Sequence, residues 1–138
     1  MEKLMIRLCD DSDLESLSIM NKQLIEDEKH DNPMNIHQLN ERMSGFINSD
    51  YNAYIFQQDK KIIGYALVNN SKNPYYLRQF FVVRGERRKG YGKRMFELLL
   101  VELNVKTIDI EVMVWNEQGK AFWESVGFKE RSIYMRYS

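Results

Sequence analysis

Arg87-Arg88-Lys89-Gly90-Tyr91-Gly92-Lys93 sets cations and two glycines in one short turn. The apolar run Phe80-Phe81-Val82-Val83 precedes it, and Met95-Phe96-Glu97-Leu98-Leu99-Leu100 follows. The first run reads as a strand and the second as a helix. A turn between them presents backbone N–H groups, the positive end of a helix and cationic side chains to one point. Chemically, that point suits a phosphate or pyrophosphate. Gly-x-Gly alone is weak support, since glycine is also common in ordinary turns. No Gly-Lys-Ser/Thr follows, so this is not a Walker loop. A dinucleotide fingerprint is also absent, because the third glycine and the later ribose-binding acid are missing.

The elements that must position this turn are legible from patterning. Leu4 to Leu8 reads as a first strand. Ser12-Asp13-Leu14-Glu15 matches a capping box, and Leu14, Leu17, Leu24 and Ile25 keep helical spacing up to a stop at Asn32-Pro33. Asn35 with Gln38 opens a second helix that carries Ile36, Leu39, Met43, Phe46 and Ile47 on one face. Asn48-Ser49-Asp50 is a turn. Tyr51 to Phe56 and Lys61 to Val68 form a hairpin through residues 57–60, with Gly64 marking a bulge or a close backbone approach. Asn69 to Pro74 is loop, and Tyr75 to Val83 is the strand that feeds the glycine turn. A helix then runs to about Leu103, Thr107 to Val114 alternates as a strand, and Asn116 to Val126 is a helix closed by Gly127. Phe128 to Tyr137 is a final extended segment. The order β-α-α-β-β-β-α-β-α-β implies a mixed sheet with helices on both faces, an α+β class.

Bulk properties narrow the function. With 138 residues, 43% apolar and 29% charged, the chain suits one globular domain spanning 1–138. Formal net charge is zero, so no global field favours nucleic acid. The cations are local: Arg84, Arg87, Arg88, Lys89, Lys93 and Arg94 face one nearby acid in sequence, Glu86, which suits a small polyanion. Cys9 is the sole cysteine, and His30 and His37 are poorly matched with acids, so no metal is expected. No stretch approaches membrane length and the first residues lack a signal peptide's apolar core, so the expected setting is reduced and cytoplasmic.

Arg87-Arg88-Lys89-Gly90-Tyr91-Gly92 fits Gln/Arg-x-x-Gly-x-Gly between a strand and a helix, and here the chain resembles the GNAT superfamily of N-acetyltransferases. That pattern is the family's pyrophosphate loop for acetyl-CoA. Asn116, an aromatic seven residues on (Trp123), then Gly127-Phe128 resembles a second family signature, and the element order matches over nearly the whole chain.

The resemblance implies that the fourth and fifth strands splay apart, leaving backbone groups at Phe80, Phe81 and Val82 for the pantetheine arm. The N–H groups of residues 88–93 (Arg88, Lys89, Gly90, Tyr91, Gly92, Lys93) then receive the pyrophosphate. The side chains of Arg87, Arg88, Lys89 and Lys93 either reach the phosphates or solvate the helix start. Asn116 either caps the last helix or bonds a pantetheine amide. Glu111 sits where related enzymes carry a catalytic glutamate, which implies a general base; on composition alone it is an exposed strand residue.

Two features depart from the family pattern. Many relatives have tyrosine where this chain has Trp123, and an indole N–H is a donor rather than a usable acid. Trp123 is therefore expected to pack along the pantetheine or the acceptor pocket, with core or strand packing favoured for Tyr134 and Tyr137 over a substitute acid role. Only ten residues follow Phe128, where relatives commonly end in a two-strand hairpin. One strand completed by a neighbouring subunit, and so a homodimer, fits that length.

The expected activity is acetyl transfer from acetyl-CoA to a primary amine of a small molecule or peptide. The alternative is a non-catalytic acyl-CoA sensor or interaction module. Glu26, Asp27, Glu28 and Asp31 could draw in a cationic acceptor, although such a charge run is more often a solvated helix end.

Overall fold

A computed structural model describes residues 3–138. The sheet has five strands in the order β1-β2-β3-β4-β5: β1 (Met5–Leu8), β2 (Tyr51–Gln58), β3 (Lys61–Asn69), β4 (Tyr75–Val82) and β5 (Ile108–Ile110). The first three pairings are antiparallel and β4–β5 is parallel. Four α-helices cover it: α1 (Leu14–Asp27), α2 (Ile36–Ile47), α3 (Tyr91–Leu103) and α4 (Glu117–Ser125).

Strand alternation divides the core in two. Tyr54, Phe56, Ile63, Ala66 and Val68 face α3, meeting Met95, Phe96 and Leu99. Ala53, Ile55, Tyr65 and Leu67 face the other way, against Leu17, Met20 and Leu24 of α1 and Met43 of α2. Both faces being covered explains why β2 and β3 read as nearly continuous apolar runs.

Asp59 and Lys60 close the β2–β3 hairpin with φ of 51° and 68°, both in the left-handed region that a tight two-residue turn requires. Gly64 is a close approach, and the bulge falls on Ile63 beside it. The register skips between Phe56 and Gln57, and a Cβ on Gly64 would lie 2.0 Å from the Phe81 carbonyl oxygen.

Several elements depart from the expected bounds. The first capping box belongs to Asp10 and Asp13 on a short 3-10 turn (Asp11–Asp13), because Asp13 is also drawn to Arg7 by two hydrogen bonds of 2.8 and 2.9 Å. Helix α1 ends at Asp27, before Asn32-Pro33, where Lys29 adopts a φ of 53°. Strand β5 stops at Ile110 rather than Val114, since β4, its one partner among the described residues, leaves it after Leu77. Phe128 to Tyr137 forms no strand, and Ile133, Tyr134, Met135 and Tyr137 stand exposed there.

Candidate functional site

β4 and β5 pair only through Tyr75↔Ile108, Tyr76↔Asp109 and Leu77↔Ile110. From residue 78 onward β4 keeps β3 on one side and has no strand on the other among the described residues. The opening is therefore a wedge whose apex lies at Leu77 and Ile110. Val83 N–H bonds the Ile63 carbonyl at 2.8 Å, which fixes the alternation along β4. Phe80 and Val82 turn their N–H and C=O groups into the wedge, whereas Phe81 is in register with Tyr65 and turns its groups to β3. The Val82 carbonyl already accepts from Arg87 Nε at 2.9 Å. The Phe81 ring is buried against the α1 side, with the Arg87 guanidinium over it at 5.0 Å.

The glycine turn sits at the wide end of the wedge. Arg88 (φ 66°) and Gly90 (φ 78°) are both left-handed, and Gly90 starts α3 with no side chain capping it. Its first N–H groups are left to solvent or a ligand. Gly92 keeps the turn close to α4: a Cβ there would meet the Phe122 ring at 3.0 and 3.1 Å.

The cations of this turn divide into two groups. Arg84 bonds Asp27 and Glu26, Arg87 bonds Asp27 at 2.6 Å, and Lys89 bonds the buried Glu86 at 3.1 Å. Lys61 completes the Glu86 pairing, and the two lysines hold that carboxyl below its ordinary value. The single-acid expectation is thus corrected, because the end of α1 brings two more acids. Arg88 and Lys93 are exposed with no acid partner among the described residues, which leaves them to a phosphate.

The end of α1 holds both sides of the wedge. Asp27 takes Arg84 and Arg87 from the β4 side, and the Glu28 carbonyl accepts from Trp115 Nε1 at 3.0 Å on the β5 side. Between the end of α1 and the start of α4 lies a cleft of about 240 Å³ lined by Asp27, Glu28, Lys29, Trp115, Asn116 and Gln118. Burial pushes Asp27 up, but hydrogen bonds from Arg84 and Arg87 outweigh it and leave the carboxyl below its ordinary value. Glu28 has no such partner, so burial and the Asp27 charge push its carboxyl up. Sequence reasoning missed Glu28 as distinct from its neighbours. Its burial is a tertiary property that a run of acids does not reveal.

Near the apex, Glu111 is exposed one residue past β5 and accepts a hydrogen bond from the Tyr76 hydroxyl at 3.0 Å. Asn116 Oδ1 accepts from Gly119 N–H at 3.0 Å and so caps α4. Trp123 joins Phe80, Phe96, Phe122 and Phe128 in an aromatic cluster with centroids 4.8 to 5.6 Å from its own. Its edge contact with Phe80 makes it part of the wedge wall rather than of the apex. Tyr134 and Tyr137 are exposed in the terminal segment, contrary to the expected packing.

The sequence profile of the acetyltransferase (GNAT) domain matches residues 17–133. No curated protein sequence matches the chain. Solved structures share its fold at low identity. A protein of Clostridium difficile 630 described as a possible acetyltransferase is 18% identical, with a TM-score of 0.79 over 98% of this chain and 96% of that one. An aminoglycoside N-acetyltransferase in complex with CoA is 17% identical, with a TM-score of 0.78 over 100% and 95%. A protein of Clostridium acetobutylicum described as a predicted acetyltransferase, with acetyl-CoA, is 16% identical, with a TM-score of 0.74 over 99% and 96%. With the five-strand mixed sheet, the parting of β4 from β5 and a profile match over most of its length, the chain belongs to the GNAT acetyltransferase family.

Proposed function

We propose that this chain transfers an acetyl group from acetyl-CoA to a primary amine of a small molecule or peptide by direct attack. The observation that carries this reading is the free β4 edge at Phe80 and Val82, leading to the uncapped N-terminus of α3. An extended amide-bearing arm fits the first, and a pyrophosphate fits the second. Residues 88–93 would offer their amides to the phosphates, with Arg88 and Lys93 as the free cations. Phe80, Phe122 and Trp123 would wall the arm. Asn116 would use its side-chain N–H₂, since its oxygen is spent on the cap.

Acetyl-CoA supplies a thioester carbonyl. An arm anchored at the glycine turn and lying along β4 would bring that carbonyl to the apex, beside Tyr76 and Glu111. An alkylammonium has a pKa of about 10.4, so the acceptor must lose a proton before its lone pair is available. Glu111 would take that proton, directly or through a water. The amine nitrogen bonds the carbonyl carbon and sheds its second proton, the carbon–sulfur bond breaks, and the sulfur departs with the electron pair and takes up that proton through water. A thiol pKa of about 8.5 makes the thiolate a tolerable leaving group without a strong acid. General acid catalysis is typically worth about 10²–10⁴-fold, so tryptophan at 123 slows departure rather than forbids it.

Incubation with acetyl-CoA and a panel of amino acids, peptides, polyamines and aminoglycosides, read by thiol release, tests the proposal. Turnover on at least one amine is expected. Tight CoA binding with no turnover on any amine would instead support an acyl-CoA sensor.

A further inference from the structure

On the α2 side of β4, two arginines converge on one ring. The Arg42 guanidinium carbon lies 5.3 Å from the Phe46 centroid and that of Arg78 lies 5.0 Å from it. Arg78 also sits 5.8 Å from the Tyr51 centroid, and its Nη1 donates to the Tyr51 hydroxyl at 3.3 Å. Neither arginine has a carboxylate within ion-pair distance among the described residues. Arg42 makes one hydrogen bond, from Nη2 to Asn21 Oδ1 at 3.2 Å, and its Nε is buried with no partner. Like-charge proximity to Arg78 adds to burial in making the Arg42 cation costly to hold.

This pair is held in place and lies beside the reacting end of the wedge. Asn21, Tyr65 and Gln79 are all buried beneath it, with the Tyr65 hydroxyl donating to Gln79 Oε1 at 2.7 Å and also bonded to Asn21. Arg78 is the residue that the β3–β4 register skips, and it directly follows Leu77, the last residue paired with β5. On the same face Tyr76 carries Glu111 on its hydroxyl and has the Lys72 ammonium 5.0 Å from its ring centroid. The acids expected to draw in a cation lie elsewhere: Glu26 and Asp27 hold Arg84 and Arg87, Asp31 lies against His30 and Arg136, and Glu28 lines the cleft with Trp115 and Asn116. A polycationic acceptor would meet uncompensated positive charge here.

We propose that Arg42 and Arg78 form an anion subsite of the acceptor pocket, so that the acceptor is an amine carrying a carboxylate, of the amino acid or peptide class. This rests on the acetyltransferase reading above. The guanidinium fork matches a carboxylate in plane; the exposed Arg78 is the one such a group would meet, with the Arg42 charge beside it uncompensated by any acid among the described residues. The acceptor would then lie across the apex, with its amine at Glu111 and its carboxylate against Phe46.

Dipeptides compared with their C-terminal amides test this, because the attacking amine is the same in both. The expected kcat/KM for the acid exceeds that for the amide by about tenfold to a hundredfold, the range of a hydrogen bond to a charged group. In Arg78→Gln, a change at an exposed position, that ratio falls toward one, and Arg78→Lys recovers part of it. Arg42→Lys should lower it too, with calorimetric CoA affinity as the control on folding. Equal or better use of amides, or a ratio unchanged in Arg78→Gln, overturns the subsite. If no amine turns over, calorimetry of the CoA-saturated protein with an N-acetyl dipeptide and its amide decides instead. Carboxylate-dependent binding lost in Arg78→Gln keeps the subsite while the acetyltransferase reading falls. Binding that ignores the carboxylate overturns the subsite.

Discussion

The two arginine pairs flanking β4 use the same side chain for opposite purposes. Arg84 and Arg87, just past its C-terminal end, are neutralised by Asp27 and Glu26 and fasten the glycine turn to α1. Arg42 and Arg78, beside the apex, have aromatic rings, an amide oxygen and the Tyr51 hydroxyl for company and no acid among the described residues. The difference teaches that a cation's role is set by its partners rather than its type. A paired guanidinium is scaffold, whereas an unpaired one held by buried neighbours is available to a ligand. The wedge lies between these settings, so substitutions along it should separate cofactor binding, chemistry and scaffold.

The largest effect should come at the apex. Glu111→Gln is expected to lower kcat by about 10²–10⁴-fold, the usual worth of a positioned base, with CoA affinity retained. An unchanged kcat would remove Glu111 from the chemistry and shift attention to Glu28. At the other end, Gly92→Val adds carbon where the Phe122 ring already lies 3.0 Å from a Cβ position. Overpacking of this kind costs the fold about 1–3 kcal/mol, read as a lower Tm, and by displacing the turn it should weaken acetyl-CoA binding while the KM for the amine stays put.

Asp27→Asn attacks the comparison itself, leaving Arg87 without its acid while Arg84 keeps Glu26. Because Arg84 and Arg87 are partly exposed, the loss should be modest, about 0.2–1 kcal/mol, read as a Tm lower by a few degrees at most. The pH dependence has a definite sign. Asp27 titrates below its ordinary value when folded, so its contribution is present above about pH 3.9 and disappears as pH falls through the folded value. The Asp27→Asn and unsubstituted proteins should therefore converge in Tm in acid.

The smallest effect, of opposite sign, belongs to Glu28. Its carboxyl titrates above the ordinary value, so the folded state favours the proton and loses stability as pH rises through that value. Glu28→Gln should raise Tm slightly at neutral pH, with the gain vanishing below about pH 4.3. A fall in Tm at neutral pH would show that the carboxylate is satisfied after all.

Local chemistry was legible in the sequence, and pairing across the chain was not. Asn35 and Gln38 form their reciprocal cap as read, because both partners lie within one helical turn. Gly64 and the α3 start were likewise foreseen from glycine placement. The first cap was misread by two residues, since Arg7 decides which aspartate turns inward and no spacing within the turn shows that. The length of β5 depends on where β4 parts from it. The division of the arginines depends on contacts reaching across the chain, 60 residues from Asp27 to Arg87. The Arg42 and Arg78 pair left no local trace, because α2 and the β4 bulge meet only in the folded sheet.

The central claim is that coenzyme A lies along β4 with its phosphates on the start of α3. Amide hydrogen exchange with and without saturating CoA tests it at single residues. The account predicts slowed exchange at Phe80, Val82 and 88–93, and no change at Phe81, whose N–H already faces β3. CoA binding that protects none of those amides, or protects Phe81 instead of its neighbours, would contradict it.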